Sequence, residues 1–259
     1  MFDSSSGYYP NNRFTLEKDV NSYLEKGRDI GLTPKLVLSP LGSLSECGTV
    51  YGRLFSAIDF SEFNNVILIG PSPVDTGPKL SFVDEDFKTP FGSVETDNGF
   101  TTRLDLSDTF EKREDLVHIP FVEIQLIFLQ KVMEDFKIVP IIVNDSIGDE
   151  KFSEGLNLIS KVSTSNDLII SCSNLAKGSL SKKDVQSRDS RLLNCLRSKK
   201  IEDFEELAKE YSVEGFKSVK MGLKIIQEYE NVHTLGHNVY TADKVLNPKT
   251  EGFGGICFT

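Results

Sequence analysis

The sequence predicts an α/β fold, built as one domain over residues 1–259, in which a mostly parallel central sheet carries helices on both faces. Three apolar runs rich in β-branched residues, at 66–69, 138–143 and 168–172, are typical of buried strands. Helical patterns lie between these runs along the chain. The alternation of strand, crossover helix and strand is the βαβ arrangement of a parallel sheet.

The first elements of the chain are predicted up to the central strand at 66–69. They are a helix at 15–27 with Thr15 as its N-cap, a short strand at 35–40 and a helix at 49–58. The central strand ends in Gly70-Pro71-Ser72, which predicts a tight turn. Open α/β sheets place their sites at such strand ends.

The second part of the chain repeats the alternation of strands and helices. The predicted elements are a hairpin at 89–92, a buried helix at 121–136, a strand at 138–143, a helix at 149–162, a strand at 168–172, helices at 183–196, 201–210 and 216–229, and strands at 238–241 and 252–258. The last two strands are expected to form an antiparallel pair.

The composition is that of an ordinary globular protein, with 39% hydrophobic and 26% charged residues. The 29 Lys and Arg residues stand against 39 Asp and Glu residues, which gives a net charge of −10. Because the acidic residues are spread along the chain, phosphate binding is disfavoured, and we expect no nucleic-acid partner. The sequence leaves the oligomeric state open.

The terminus, the hydropathy pattern and the cysteines predict a cytoplasmic protein that makes no contact with a membrane. Residues 1–6 lack the basic region and apolar core of a signal peptide. No apolar run approaches the roughly 18 residues of a membrane span. Cys47, Cys172, Cys195 and Cys257 show no CxxC spacing, which favours reduced structural thiols over a disulfide frame or a zinc site.

Several short motifs in sequence order carry a resemblance to a known family. They are Gly7-Tyr8-Tyr9-Pro10 before the first helix, Gly70-Pro71-Ser72 after the central strand, Thr89-Pro90-Phe91-Gly92 with Asp97 behind it, and Glu123, Gln125 and Gln130 in the buried helix. Together they resemble the Memo family over essentially the whole chain. The resemblance implies the fold of the class III extradiol dioxygenases.

The resemblance also implies where a site would lie, and this sequence departs from the family there. In the family, the pocket positions are three histidines, an aspartate, a further histidine and a cysteine, in that order. The corresponding residues of this sequence are Leu41, Pro73, Pro120, Asn174, Lys177 and Glu214. A non-haem metal site needs about three imidazole, thiolate or carboxylate ligands, and Leu and Pro offer no lone pair. We therefore expect no metal and no cofactor.

The other histidines are poor substitutes for the missing ligands. His118 lies two residues from the family position at Pro120 and reads as a displaced remnant. His233 and His237 have i, i+4 spacing, but Leu235-Gly236 between them breaks any helix, so a surface or turn role is expected.

Four residues near the strand ends have competing interpretations. Lys177 is either a solvated turn residue or the partner of Glu214 inside the cleft, where the two side chains would lie within about 6 Å of each other. Asn174 is expected to bond backbone groups in a turn. Cys172 lies in an apolar strand without a nearby histidine, which predicts a buried structural thiol.

Two classes of function compete. The first is a non-catalytic protein-binding or scaffold module that contacts a protein or peptide through the loops at 43–48 and 73–80, by analogy with the phosphotyrosine-peptide recognition reported for the family. The second is an enzyme that acts on a small polar substrate through the residual cleft, using Lys177, Glu214 and Asn174. We expect the first, with no catalytic residue, because fold does not fix function and no activated group is evident.

Overall fold

The computed structural model describes residues 7–242 and 248–259, and the centre of the described fold is a nine-stranded mixed sheet. The strands are β1 (Leu36–Ser39), β2 (Asn65–Pro71), β3 (Leu80–Phe82), β4 (Phe87–Thr89), β5 (Gly92–Val94), β6 (Phe110–Lys112), β7 (Lys137–Val143), β8 (Asp167–Cys172), β9 (Lys177–Gly178), β10 (Val232–Thr241) and β11 (Thr250–Phe258). The order across the large sheet is β10-β11-β1-β8-β2-β7-β3-β6, and β9 pairs with β11.

The helices connect these strands. They are α1 (Arg13–Leu24), α2 (Leu44–Phe55), α3 (Asn98–Asp105), α4 (Pro120–Val132), α5 (Asp149–Val162), α6 (Lys182–Arg197), α7 (Ile201–Glu210) and α8 (Phe216–Ile226), with a short 3-10 turn at Glu114–Leu116. No helix in the described part of the chain is both long and apolar enough to cross a membrane.

The centre of the sheet is parallel and its flanks are antiparallel. β1, β8, β2 and β7 run parallel, with Ile67 of β2 opposite Ile169 on one side and Val139 on the other. β11 runs antiparallel to β1, and β3 runs antiparallel to β7. The prediction of a parallel centre is confirmed, and the closing antiparallel pair forms as expected between β10 and β11.

Both faces of the sheet are covered, which explains why its strands are apolar without alternation. Val66 and Leu68 of β2 point to a layer that contains α1, α2 and α4, whereas Ile67 and Ile69 point to a layer that contains α3 and α5 to α8. In the first layer the ring of Phe128 stacks on Tyr51 and Phe55, with ring centroids 5.1 and 5.6 Å apart.

Two helices begin earlier than the sequence predicts, because their caps lie upstream. The side chain of Asn12 accepts a hydrogen bond from the Thr15 amide, so α1 begins at Arg13 and Thr15 lies in its first turn. α2 begins at Leu44, not 49, because Ser43 and Glu46 form a capping box. A kink at Cys47 divides α2, which explains why only its second part shows a clear helical pattern.

Other elements were missed or misplaced in the sequence prediction. Asp97 caps the unpredicted helix α3 by accepting hydrogen bonds from the Gly99 and Phe100 amides. β10 begins at Val232 rather than 238, since an irregularity between Thr234 and Gly236 interrupts its alternation. The predicted hairpin at 89–92 is confirmed as β4 and β5.

The four cysteines are free thiols of different accessibility. Burial raises the pKa of Cys47 and Cys172, and it raises that of Cys257 to about 12. Cys195 is half-buried on α6.

We expect a thiol reagent to modify Cys195 in the native protein at least about 100-fold faster than the other three cysteines, which need local opening to react. Mass spectrometry of the labelled peptides measures this, and a Cys195→Ser variant should lack the fast phase.

Candidate functional site

The candidate site lies at the carboxyl ends of β1 and β8, which are neighbouring parallel strands. Leu41 follows β1 and Asn174 follows β8, and the Leu41 amide donates a hydrogen bond to Asn174 Oδ1 at 2.8 Å. Both residues are buried. The amide side chain therefore ties the two strand exits together, which agrees with the backbone-bonding role predicted for Asn174.

A largely buried carboxylate that sequence reasoning missed, that of Glu251, continues this network. Asn174 Nδ2 donates to Glu251 Oε1 at 2.9 Å, and Lys177 Nζ lies 2.9 Å from Glu251 Oε2. β9 and β11 place Lys177 directly opposite Glu251. Glu251 thus accepts hydrogen bonds on both of its oxygens, one from a neutral amide and one from an ammonium group.

Glu214 completes the cluster from the loop before α8. Lys177 Nζ lies 3.6 Å from Glu214 Oε2, so the distance predicted for this pair is confirmed. The backbone carbonyl of Glu214 accepts hydrogen bonds from the backbone amide of Asn174 at 3.0 Å and from Ser173 Oγ at 2.8 Å. The side chain of Glu214 is 52% exposed, against 30% for Lys177 and 16% for Glu251. Lys177 Nζ is closer to Glu251 Oε2 than to Glu214 Oε2, so we take Glu251 as its principal partner.

Burial and neighbouring charges shift the pKa values of Lys177 and Glu251. Burial lowers the pKa of Lys177, but the hydrogen bond and charge of Glu251, with help from Glu214, outweigh it and leave the pKa raised. For Glu251 burial acts in the opposite direction and raises the pKa, against the effects of Lys177 and Asn174. The ion pair alone would lower the pKa of the Glu251 carboxyl, so desolvation is the larger effect on this residue. Lys177 is a cation at neutral pH.

The phenol of Tyr8 lies within the field of the same charges. Burial raises its pKa most, followed by the charges of Glu214, Glu46 and Glu251, while Lys177 lowers it. The carbonyl of Tyr8 accepts a hydrogen bond from the Leu44 amide at 2.9 Å, which joins the N-terminal segment to the start of α2. Three carboxylates and one ammonium group therefore act on the phenol of this half-buried residue, and their net charge is negative.

The remaining predicted positions carry hydrocarbon side chains. Leu41 is buried in the layer that contains α2, whereas Pro73 is exposed in the loop after β2. Pro120 is the first residue of α4, where proline lacks only an amide that would be free anyway. The structure therefore joins Leu41, Asn174, Lys177 and Glu214 by hydrogen bonds and ion pairs, and the two prolines add no polar group.

The other histidines each have a local partner. His118 Nδ1 lies 3.5 Å from Glu123 Oε1, and Tyr9 donates to Glu123 Oε2 at 2.7 Å. His233 Nε2 lies 3.1 Å from Thr259 Oγ1. His237 Nε2 lies 2.7 Å from Asp189 Oδ2, a contact that sequence reasoning did not find. Both His233 and His237 lie in β10 rather than in a turn.

Comparison with known proteins identifies the family. The model of the family described as Memo-like protein matches residues 4–245. The chain belongs to the Memo family. Its α/β architecture is the extradiol dioxygenase-like fold of that family, as the motifs predict.

Curated Memo relatives match parts of this chain. A MEMO1 family protein of Aquifex aeolicus (strain VF5) is 29% identical over 199 residues, 73% of this chain and 51% of the relative. One of Methanobrevibacter smithii is 29% identical over 129 residues, 48% of this chain and 44% of the relative. One of Thermotoga neapolitana is 28% identical over 153 residues, which are 53% of this chain and 55% of the relative. The chain spans about half the length of the curated relatives it matches.

The side chains at the candidate site do not suit the metal ion that a dioxygenase-like fold implies. Across residues 7–242 and 248–259, no three His, Cys, Asp or Glu side chains converge as a metal site requires. Glu251 and Glu214 face the Lys177 ammonium group, whose positive charge opposes a metal cation. Leu41 contributes hydrocarbon. The donor set does not fit iron, copper or zinc.

Proposed function

We propose that this Memo family member is a non-catalytic protein-binding module in which an internal ion pair stands at the family's site. The observation that carries the proposal is the position of Lys177 Nζ, 2.9 Å from Glu251 Oε2 and 3.6 Å from Glu214 Oε2. An ammonium group held by two carboxylates supplies the positive charge that a bound cation would otherwise bring. The ammonium group therefore balances part of the negative charge of the site without an ion.

Lys177 and the neighbouring Cys172 and Tyr8 are poorly suited to acid–base or nucleophilic catalysis at neutral pH. A general base needs a pKa near the working pH, and the raised pKa of Lys177 keeps it protonated. Burial raises the pKa of the Cys172 thiol and of the Tyr8 phenol, so neither ionises readily. These directions support a binding role rather than turnover.

The charge of the site indicates the chemistry of its partner. Glu46, Glu214 and Glu251 outnumber Lys177 among the charges that act on the Tyr8 phenol, and the whole chain carries a net charge of −10. A lysine or arginine side chain of a partner protein would pair with the exposed Glu214 carboxylate and lie against the aromatic ring. An anionic phosphotyrosine peptide would be repelled. We therefore propose a partner that presents a basic segment.

Peptide binding tests the proposal directly. Fluorescence anisotropy with arginine- or lysine-rich peptides is expected to show binding that weakens as salt rises, because the contact is electrostatic. Glu214→Lys should weaken it at least about tenfold. The matched control is Glu62→Lys, which changes an exposed residue shortly before β2, at the opposite end of the strands.

Two results would contradict this function. Tighter binding of phosphotyrosine peptides than of basic peptides would reverse the inferred sign of the partner's charge. Metal-independent turnover of a small polar substrate that is abolished by Lys177→Ala, with no peptide bound, would show that the chain is an enzyme instead.

A further inference from the structure

A second pair of hydrogen-bonded side chains lies behind the candidate site, on the other face of the β9 and β11 segment. Asp189 of α6 is 1% exposed, and its Oδ2 lies 2.7 Å from Nε2 of His237 on β10. A buried carboxylate is costly unless it is paired and hydrogen-bonded. The imidazole supplies one of the partners that Asp189 requires, and 29% of the His237 side chain remains exposed.

The other oxygen of Asp189 bonds the backbone next to Lys177. Asp189 Oδ1 accepts a hydrogen bond from the Ala176 amide at 2.9 Å. The Ala176 carbonyl accepts one from the Gly252 amide at 2.9 Å, and the Leu175 amide donates to the Gly252 carbonyl at 2.8 Å. The carboxylate is therefore bound to the chain one residue before Lys177, and this segment is paired with the residue after Glu251.

The absence of a side chain at Gly252 lets Asp189 come this close. A Cβ atom built on Gly252 would lie 2.1 Å from Asp189 Oδ2 and 2.6 Å from its carboxyl carbon, which real structures essentially never show. Asp189 thus contacts both segments that carry the ion pair of the site, at Ala176 and at Gly252. Its position fixes the spacing between them.

We infer that Asp189 and His237 are positioning residues that hold the Lys177 and Glu251 side chains in pairing distance from behind the sheet. His237 keeps the Asp189 carboxylate in place, and the carboxylate keeps the Ala176 and Gly252 segments together. If the carboxylate shifts, the Ala176 amide loses its partner, and the 2.9 Å contact between Lys177 Nζ and Glu251 Oε2 lengthens. This positioning role concerns the geometry of the ion pair and does not depend on what the site binds.

The reactivity of the Lys177 amine measures this geometry without a ligand. The full chain is treated with a water-soluble acetylating ester at pH 8, and the rate at each lysine is read by peptide mass spectrometry. His237→Ala is expected to raise the rate at Lys177 about tenfold, the factor that accompanies a fall of about one unit in the pKa of an amine. Lys151, paired with Glu154 at 2.9 Å on α5, is the internal reference and should not change.

Three further variants separate positioning from stability alone. His237→Gln retains an amide donor toward Asp189 and should restore most of the protection of Lys177. Gly252→Ala displaces the carboxylate from the opposite side and should raise the rate as His237→Ala does. The acetylation rates are measured under conditions in which urea titration shows that each variant is folded. An unchanged rate at Lys177 in folded His237→Ala and Gly252→Ala variants would overturn the inference, and a variant that cannot be folded leaves the other as the test.

Discussion

Replacing Lys177 with methionine is expected to lower the free energy of unfolding by about 2–3 kcal/mol at pH 7, because the largely buried Glu251 carboxylate loses its counter-charge. This loss is smaller than the roughly 3–5 kcal/mol expected when one partner of a fully buried ion pair is removed, because Lys177 is 30% exposed. Urea denaturation measures the change. The double variant Lys177→Met with Glu251→Gln should recover most of the loss, because a glutamine can still accept the hydrogen bond from Asn174.

The matched control for this pair is Glu214→Gln, whose side chain is 52% exposed and should cost only about 0–1 kcal/mol. The pKa of Lys177 is raised in the folded state, so its contribution is fully present below the unfolded value near 10.4 and is lost as pH rises through the folded value. The difference between wild type and Lys177→Met should therefore persist at pH 7–9 and shrink above about pH 10.5. A loss equal to that of Glu214→Gln would mean that Glu251 does not depend on Lys177.

Replacing Gly215 with alanine is expected to cost about 3 kcal/mol or more, which exceeds the roughly 1–2 kcal/mol of the left-handed conformation alone. Gly215 has φ of +83°, and a Cβ atom there would lie 2.5 Å from the Cys172 carbonyl oxygen and 3.0 Å from Ser173 Cα. These are backbone atoms of the strand that leads into the site, so the loop that carries Glu214 would have to move.

Gly77 offers a matched control for Gly215. Its φ is +77°, but a Cβ atom there meets nothing within 4 Å. Gly77→Ala should therefore show only the conformational cost, and the difference between the two variants in urea denaturation measures the steric overlap at Gly215. Equal losses in the two variants would mean that the Glu214 loop does not pack closely against the end of β8.

The parts of the fold that sequence analysis predicts well are those with local signals. The apolar strands at β2, β7 and β8 are continuous because both sheet faces are covered, and α5 is bounded as predicted at 149–162. The start of α2 was misplaced, since the Ser43 and Glu46 capping box precedes a kink at Cys47. α3 was missed because its eight residues give too short a pattern to detect.

The candidate site was only partly predictable, for a physical reason. Asn174 and Lys177 follow the end of β8, which the family motifs locate, and parallel strands bring such ends together. Glu214 was expected at a strand end as well, but it lies in the loop between α7 and α8. Glu251 and Asp189 reach the same region from β11 and α6. No local pattern marks these contacts, because they depend on cross-strand register and helix packing. The one usable signal was the acidic Glu251 beside Gly252 in an otherwise apolar terminal strand.

The metal content of the purified chain distinguishes an internal ion pair at the candidate site from a bound ion. The protein is reconstituted anaerobically with Fe²⁺, Cu²⁺ or Zn²⁺, dialysed, and measured by elemental mass spectrometry. We expect less than about 0.1 ion per chain, because Leu41 and Pro73 offer no lone pair and Lys177 opposes a cation. About one ion per chain, retained on dialysis and lost in Glu214→Ala, would contradict it.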